Sequence, residues 1–79
     1  MYLDGNRFTL DLVGTIVRDN TANEGGGALF FVSNNRTGEL RISSSTLERN
    51  ISRGFGTAGF PGIFYLGSGP PQVTNSTIN

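Results

Sequence analysis

The chain contains no cysteine, no histidine and no tryptophan, and its six basic residues are all arginine. Without cysteine there are no disulfides, and without cysteine or histidine the usual zinc ligands are missing. Six arginines balance six acids for a formal charge of zero. No net field therefore points to nucleic acid or to an anionic membrane surface. No apolar run approaches the roughly 20 residues a membrane-spanning helix needs. The opening stretch Met1-Tyr2-Leu3-Asp4-Gly5 has neither a basic n-region nor an apolar core, so no signal peptide is read there. At 79 residues the chain is one domain with a modest core. Chains this short usually rely on disulfides, a metal or association. With the first two removed, the expectation is self-association or membership of a larger parent, and no cofactor is implied.

Apolar residues occur in short alternating runs rich in Val, Ile, Thr and Phe, interrupted by Gly, Asn, Ser or Pro. Nothing has helical spacing, so the chain is read as all-β. Two stretches align at a spacing of 30, as Leu10 to Leu40 and Asn20 to Asn50 demonstrate. A third fragment follows at 31, with Val73 after Ile42, Thr77 after Thr46 and Ile78 after Leu47. A period of this length marks a stacked array of repeats. Three strands per coil are expected. The first holds Leu10 and Leu12, then Leu40 and Ile42, then Val73. The second centres on Val17, Leu47 and Ile78. The third follows the glycines, as Ala28 to Val32 and Ile63 to Leu66.

Charge supports this register independently. Adjacent strands lie about 4.8 Å apart, and a shift of 30 sets Asp11 beside Arg41, Arg18 beside Glu48 and Asp19 beside Arg49. All are opposite-sign pairs, where like charges would repel. In the third strand Leu29 can align with Ile63 or Gly27 with Gly62, a one-step difference that exchanges the two faces. The first alternative, with Leu29, Phe31, Ile63 and Tyr65 inward, is preferred. Asn20 to Gly27 spans 7 positions and Asn50 to Gly62 spans 12, so the second coil carries an insertion of about 5. Its residues 54–60 are glycine-rich with Phe55 and Phe60. Repeat arrays place such insertions in loops on one face. Arg53, Phe55 and Phe60 are the candidate ligand loop. With Phe64 and Tyr65 they would form an aromatic platform for sugar, or else serve as core residues and loop anchors.

Gly26-Gly27-Ala28-Leu29, together with Val17-Arg18-Asp19-Asn20 and Leu47-Glu48-Arg49-Asn50, resembles the repeats of chlamydial polymorphic outer-membrane proteins and related bacterial surface proteins. Those repeats carry Gly-Gly-Ala-Ile/Leu/Val and Phe-x-x-Asn motifs; here an aliphatic residue replaces Phe. The second coil departs further, reading Pro61-Gly62-Ile63. The resemblance covers roughly residues 8–78. It implies a right-handed parallel β-helix, secreted or surface-exposed, often an adhesin or an autotransporter passenger. The motif residues have physical reasons consistent with that fold. Glycine permits a positive φ or a close backbone approach at the corner. Asparagine visits the left-handed region readily, and stacked Asn20 and Asn50 can form an amide ladder. No such ladder is expected after the first strand, where the chain reads Ser43-Ser44-Ser45.

Parallel β-helices also include polysaccharide-cleaving enzymes, whose chemistry needs two suitably spaced carboxylates or a metal–carboxylate site. Asp11, Asp19 and Glu48 already have opposite-charge neighbours, no acid stacks upon another acid, and no catalytic residue is assigned. Gly25-Gly26-Gly27 is not followed by a helix or by Gly-Lys-Ser/Thr, which argues against a phosphate cradle. The expectation is a right-handed parallel β-helix of about two and a half coils, roughly residues 8–37, 38–68 and 69–79. Tyr2-Leu3 resembles Tyr65-Leu66, so the chain is read as beginning and ending inside coils. The expected partner is a second copy through open coil ends, or neighbouring coils of a parent. Glycan binding or cleavage is the alternative.

Overall fold

The computed structural model describes residues 1–54, 56–57 and 59–79, and these are built from strands and turns alone. Eleven short strands follow in order: β1 (Tyr2–Gly5), β2 (Thr9–Val13), β3 (Ile16–Arg18), β4 (Thr21–Ala22), β5 (Leu29–Ser33), β6 (Glu39–Ser43), β7 (Thr46–Glu48), β8 (Ile51–Ser52), β9 (Ile63–Leu66), β10 (Gln72–Thr74) and β11 (Thr77–Ile78). They form four parallel sheets: β1-β5-β9, β10-β6-β2, β11-β7-β3 and β4-β8. The chain thus visits the sheets in a fixed order and returns to the first after each pass.

The register is the one the charges and apolar pattern predict. Leu10 pairs with Leu40 and Leu12 with Ile42, while Val73 lies on the other side of Ile42. Val17, Leu47 and Ile78 line up in the same manner. Leu29 pairs with Ile63 and Phe31 with Tyr65, and all four are buried. These side chains, with Ala28 and Leu40, make one apolar cluster between the sheets.

Four expectations need correction. A fourth strand pair, β4 with β8, follows the asparagines where only a turn was expected; β-branched Thr21 and Ile51 favour extended backbone there. Leu3, not Tyr2, stands over Phe31 and Tyr65, one step from the predicted match. Only that register turns Leu3 toward the core and leaves Tyr2 outside. The insertion is 4 residues rather than 5, because the shift is 30 at Ala22–Ser52 and 34 at Leu29–Ile63. Finally, the left-handed residue of the corner is not asparagine but the residue before it, Asp19 (φ 58°) or Arg49 (φ 54°).

Candidate functional site

The features that distinguish one place on this molecule from another are its corners, its outward ring stack and its two end faces. The two narrow corners share one construction. A left-handed residue turns the chain, and the next residue sends a polar side chain beneath the bend. After the β10-β6-β2 sheet the pairs are Gly14-Thr15, Ser44-Ser45 and Asn75-Ser76, with φ of 60°, 49° and 46° at the turning residue. Each hydroxyl donates to the carbonyl two residues back. The Ser45 and Ser76 hydroxyls also accept the backbone N–H of the preceding pass, Thr15 N at 3.1 Å and Ser45 N at 3.0 Å. A hydroxyl ladder therefore runs through the corner where no asparagine ladder was expected.

The asparagine corner is the amide version. Asn20 donates its backbone N–H (3.2 Å) and its Nδ2 (3.0 Å) to Asn50 Oδ1, and Asn50 Nδ2 donates to Val17 O (3.0 Å). Asn50 is 5 % exposed, so each of these bonds satisfies a group largely removed from water. The Asn50-Ile51-Ser52 sequence, formally a glycosylation signal, is occupied by this role. The wider turn from β5 to β6 is held by buried Ser33, whose hydroxyl donates to Asn6 O and accepts from Thr37 N (3.0 Å) and Gly38 N (2.9 Å).

At the glycines the backbones come closest. A Cβ on Gly27 would lie 2.5 Å from Ile51 O, and one on Gly26 (φ 73°) would lie 2.5 Å from Leu29 O. Ala28 is fully buried and Leu29 follows it into the core. Gly62 (φ 80°) stands beside Ala28 in the next pass, where a Cβ would meet Asn50 Cβ at 2.7 Å. All the motif residues thus have structural work at the corner.

The candidate ligand loop is divided by the fold. Phe60 packs against the core, Tyr65 is buried, and Phe64 stacks on Phe30 at 4.9 Å on the other face of the strand. Phe64, Phe60 and Tyr65 therefore do not form one platform. Arg53 is exposed and its backbone N–H donates to Ala22 O (3.0 Å); Phe55 lies outside the described residues. The insertion instead folds back on β9. Thr57 N donates to Ile63 O (2.9 Å), Thr57 Oγ1 accepts from Tyr65 N (2.9 Å), and Phe60 O accepts from Ile63 N (3.1 Å).

On the outer face of the first sheet, Tyr2, Phe30 and Phe64 form a stack with centroids 4.9 Å apart at each step and Tyr2 tilted only 7° from Phe30. Stacked in this way, the rings turn their faces to one another. Beside Tyr2 and Phe30 an open cleft of about 640 Å³ runs along Asn23, Glu24, Gly25 and Gly26. Glu24 is the single carboxylate in its lining, so the cleft lacks the two carboxyl groups that glycoside hydrolysis commonly uses. Among the described residues no group of three or more His, Cys, Asp or Glu side chains could hold a metal ion.

Electrostatics follow the stacking. Arg49 Nε lies 2.7 Å from Asp19 Oδ1, and this hydrogen bond holds the Asp19 carboxyl below its ordinary value while raising Arg49. Arg41 lies 3.6 Å from Asp11 but closer, at 2.7 Å, to Glu39. Arg18 and Glu48 are neighbours in register, yet Arg18 leans to Asp19 (4.0 Å) and Glu48 to Arg49 (3.3 Å). Apart from half-buried Glu48 these partners are exposed, and such pairs contribute little each.

Burial differs from pass to pass. In the middle pass Leu29, Phe31, Leu40, Ile42 and Leu47 are at most 1 % exposed. Of the matching side chains, Leu3, Leu10 and Val17 on one side and Val73 and Ile78 on the other are only partly buried, while Leu12, Ile63 and Tyr65 stay buried. Comparison of the chain with protein-family models, curated proteins and solved structures found no match.

Proposed function

We propose that this chain is a structural and interaction module, a short right-handed parallel β-helix that associates with a second copy through its end faces. The observation that carries the reading is the gradient of burial from the middle pass to the outer ones. In the middle pass, with a pass on both sides, the inward apolar side chains are fully removed from water, whereas in the end passes most are only partly buried, Leu12, Ile63 and Tyr65 being the buried ones. Each end pass therefore presents half-covered apolar side chains together with strand edges, a combination that favours pairing with another chain. The handedness follows from the general preference of parallel crossover connections. The likeness of Gly26-Gly27-Ala28-Leu29 and of the two asparagine motifs to surface-protein repeats supports a place in a secreted or surface protein, with an adhesin-like role.

Of the two faces, the one formed by β1–β4 is the more open. Tyr2 (71 % exposed), Val13 (68 %) and Ile16 (69 %) stand at its rim. Light scattering over a hundredfold concentration range tests the reading. The mass is expected to rise from one copy to two, and Val17→Lys, which places a charge at the half-covered face, is expected to shift that rise to higher concentration. A native chain that remains a monomer throughout would sink it.

A further inference from the structure

The two end faces are not equivalent, and the insertion, through Thr57 and Phe60, is what makes them differ. On β9, three backbone groups that point away from β5 are already bonded: Ile63 N to Phe60 O, Ile63 O to Thr57 N, and Tyr65 N to Thr57 Oγ1. Thr57 therefore occupies the place a further parallel strand would take, and Phe60 closes over the core beside it. Such a covered edge is how sheet proteins prevent strand addition. The other two strands of this pass, β10 and β11, are covered in no such way among the described residues.

What the strap keeps off is read from the internal stacking. A second copy's first pass has the strands, spacing and polarity to lie on β9–β11 as β9–β11 lie on β5–β7. Its Leu12 would meet Val73 and its Val17 would meet Ile78, extending the two columns already present. Its Thr15 hydroxyl, which donates to Val13 O and accepts from no described residue, matches Ser45 and Ser76, which each accept an N–H from the pass before. The Ser76 N–H is the donor that would fill it. Of these three strands only β9 fails to match, because Thr57 is there first.

We infer that the insertion is an autoinhibitory strap that blocks head-to-tail stacking of copies at the β9–β11 face. This deepens the self-association reading above and rests on it for the identity of the partner. A heterologous contact of that kind does not close, so stacking would continue into filaments once the strap is gone. With the strap in place, association is confined to the β1–β4 face and ends at a dimer.

The test uses the absence of native cysteine. Asp11 and Gln72 occupy one register position, each paired with Arg41. In a head-to-tail stack their Cα atoms would be about 4.8 Å apart, inside the roughly 4.4–6.8 Å a disulfide spans. D11C and Q72C chains are mixed and oxidised, once with the native insertion and once with residues 55–60 replaced by the Gly-Gly that stands at Gly25-Gly26. That replacement restores the shorter spacing. The expected result is a D11C–Q72C cross-link at least tenfold more abundant in the replaced chains, whose mass by light scattering grows beyond a dimer. The strap is overturned if replaced chains with native-like circular dichroism do not cross-link, or if native chains cross-link equally well. Native chains that stay monomeric while replaced chains cross-link would remove the native self-association and leave the strap standing. Should the replacement not fold, Thr57→Val removes the acceptor of Tyr65 N alone. A cross-link yield above native then supports the strap, and an equal yield overturns it.

Discussion

The chain turns the asparagine corner twice, after Asn20 and after Asn50, and it approaches both times in the same way. Asp19 and Arg49 take the left-handed conformation, the asparagines reach under the bend, and a two-residue strand follows. The passes then part company. From Glu24 the first reaches Leu29 through Gly25, Gly26, Gly27 and Ala28, so tightly that Gly27 has no room for a Cβ beside Ile51. From Gly54, whose N–H bonds Glu24 O, the second takes four more residues to reach Ile63. What differs between these exits is whether another pass lies against them. The first is stacked on and must be narrow; the second borders an end face and has room for a loop.

The largest effects should appear where the narrow exit is widened. Gly27→Ala puts a methyl 2.5 Å from Ile51 O and is expected to lower stability by about 3 kcal/mol. Gly59→Ala, in the second exit, meets nothing within 4 Å and suffers only its φ of 83°, for about 1 kcal/mol. Urea denaturation of both variants measures the difference. Equal losses would mean that stacking does not constrain the first exit.

Next come the asparagines, which the two passes share. Asn50→Ala removes the acceptor of two Asn20 donors and the donor to Val17 O, at a cost of about 2 kcal/mol. Asn20→Ala leaves exposed groups that water can satisfy and should cost less than about 1 kcal/mol. The same denaturation measurement ranks the two, and the order reverses if the ladder depends on the exposed member.

How much of this was legible beforehand depends on what each residue does. The sheets and their register could be read because apolar side chains and opposite charges recur at one spacing, and Leu10–Leu40 and Asp19–Arg49 carry that signal on their own. Asn20 and Asn50 announced a ladder because both passes keep the amide. The hydroxyl ladder was invisible because its members are Thr15, Ser45 and Ser76, common residues that recur without a motif. The left-handed turning residues were hidden for the opposite reason: Gly14, Ser44, Asn75, Asp19 and Arg49 share only a backbone angle. Thr57 gave no signal at all. Its importance lies in meeting β9, a contact that neither spacing nor composition encodes.

The wider exit leads into a strand whose chemistry has also changed. Tyr65 replaces Phe31 and Gly67 stands where Ser33 stands, so the phenol hydroxyl fills the space a side chain would take, 2.6 Å from a Cβ at Gly67. It donates to Ser68 O at 3.3 Å. Tyr65→Phe is expected to cost about 1 kcal/mol. Burial, and to a lesser degree Glu39, raises the Tyr65 phenol above its ordinary value. Folding therefore favours the protonated form, and its contribution is complete below about pH 10 and lost as pH rises through the folded value. Native protein should lose stability above pH 10 faster than Tyr65→Phe; parallel curves would show that the phenol ionises without resistance.

The smallest effect belongs to the charge pair at the asparagine corner, and it tests whether the two stacked turns hold each other. Arg49 lies over Asp19 by one stacking step, and their hydrogen bonds at 2.7 and 3.2 Å lower the carboxyl from its ordinary value. A depressed folded value means the ionised form is favoured on folding. Its contribution is present above the unfolded value near pH 4 and disappears as pH falls through the folded one. Both side chains are solvent-exposed, so the loss is small and salt weakens it. Carbon-detected titration of Asp19 in native protein and in Arg49→Gln reads it directly. The carboxyl should titrate at lower pH in the native chain, and the gap should narrow with added salt. An identical midpoint in both chains would mean that the turns are aligned by backbone and amide alone, with the charges as bystanders.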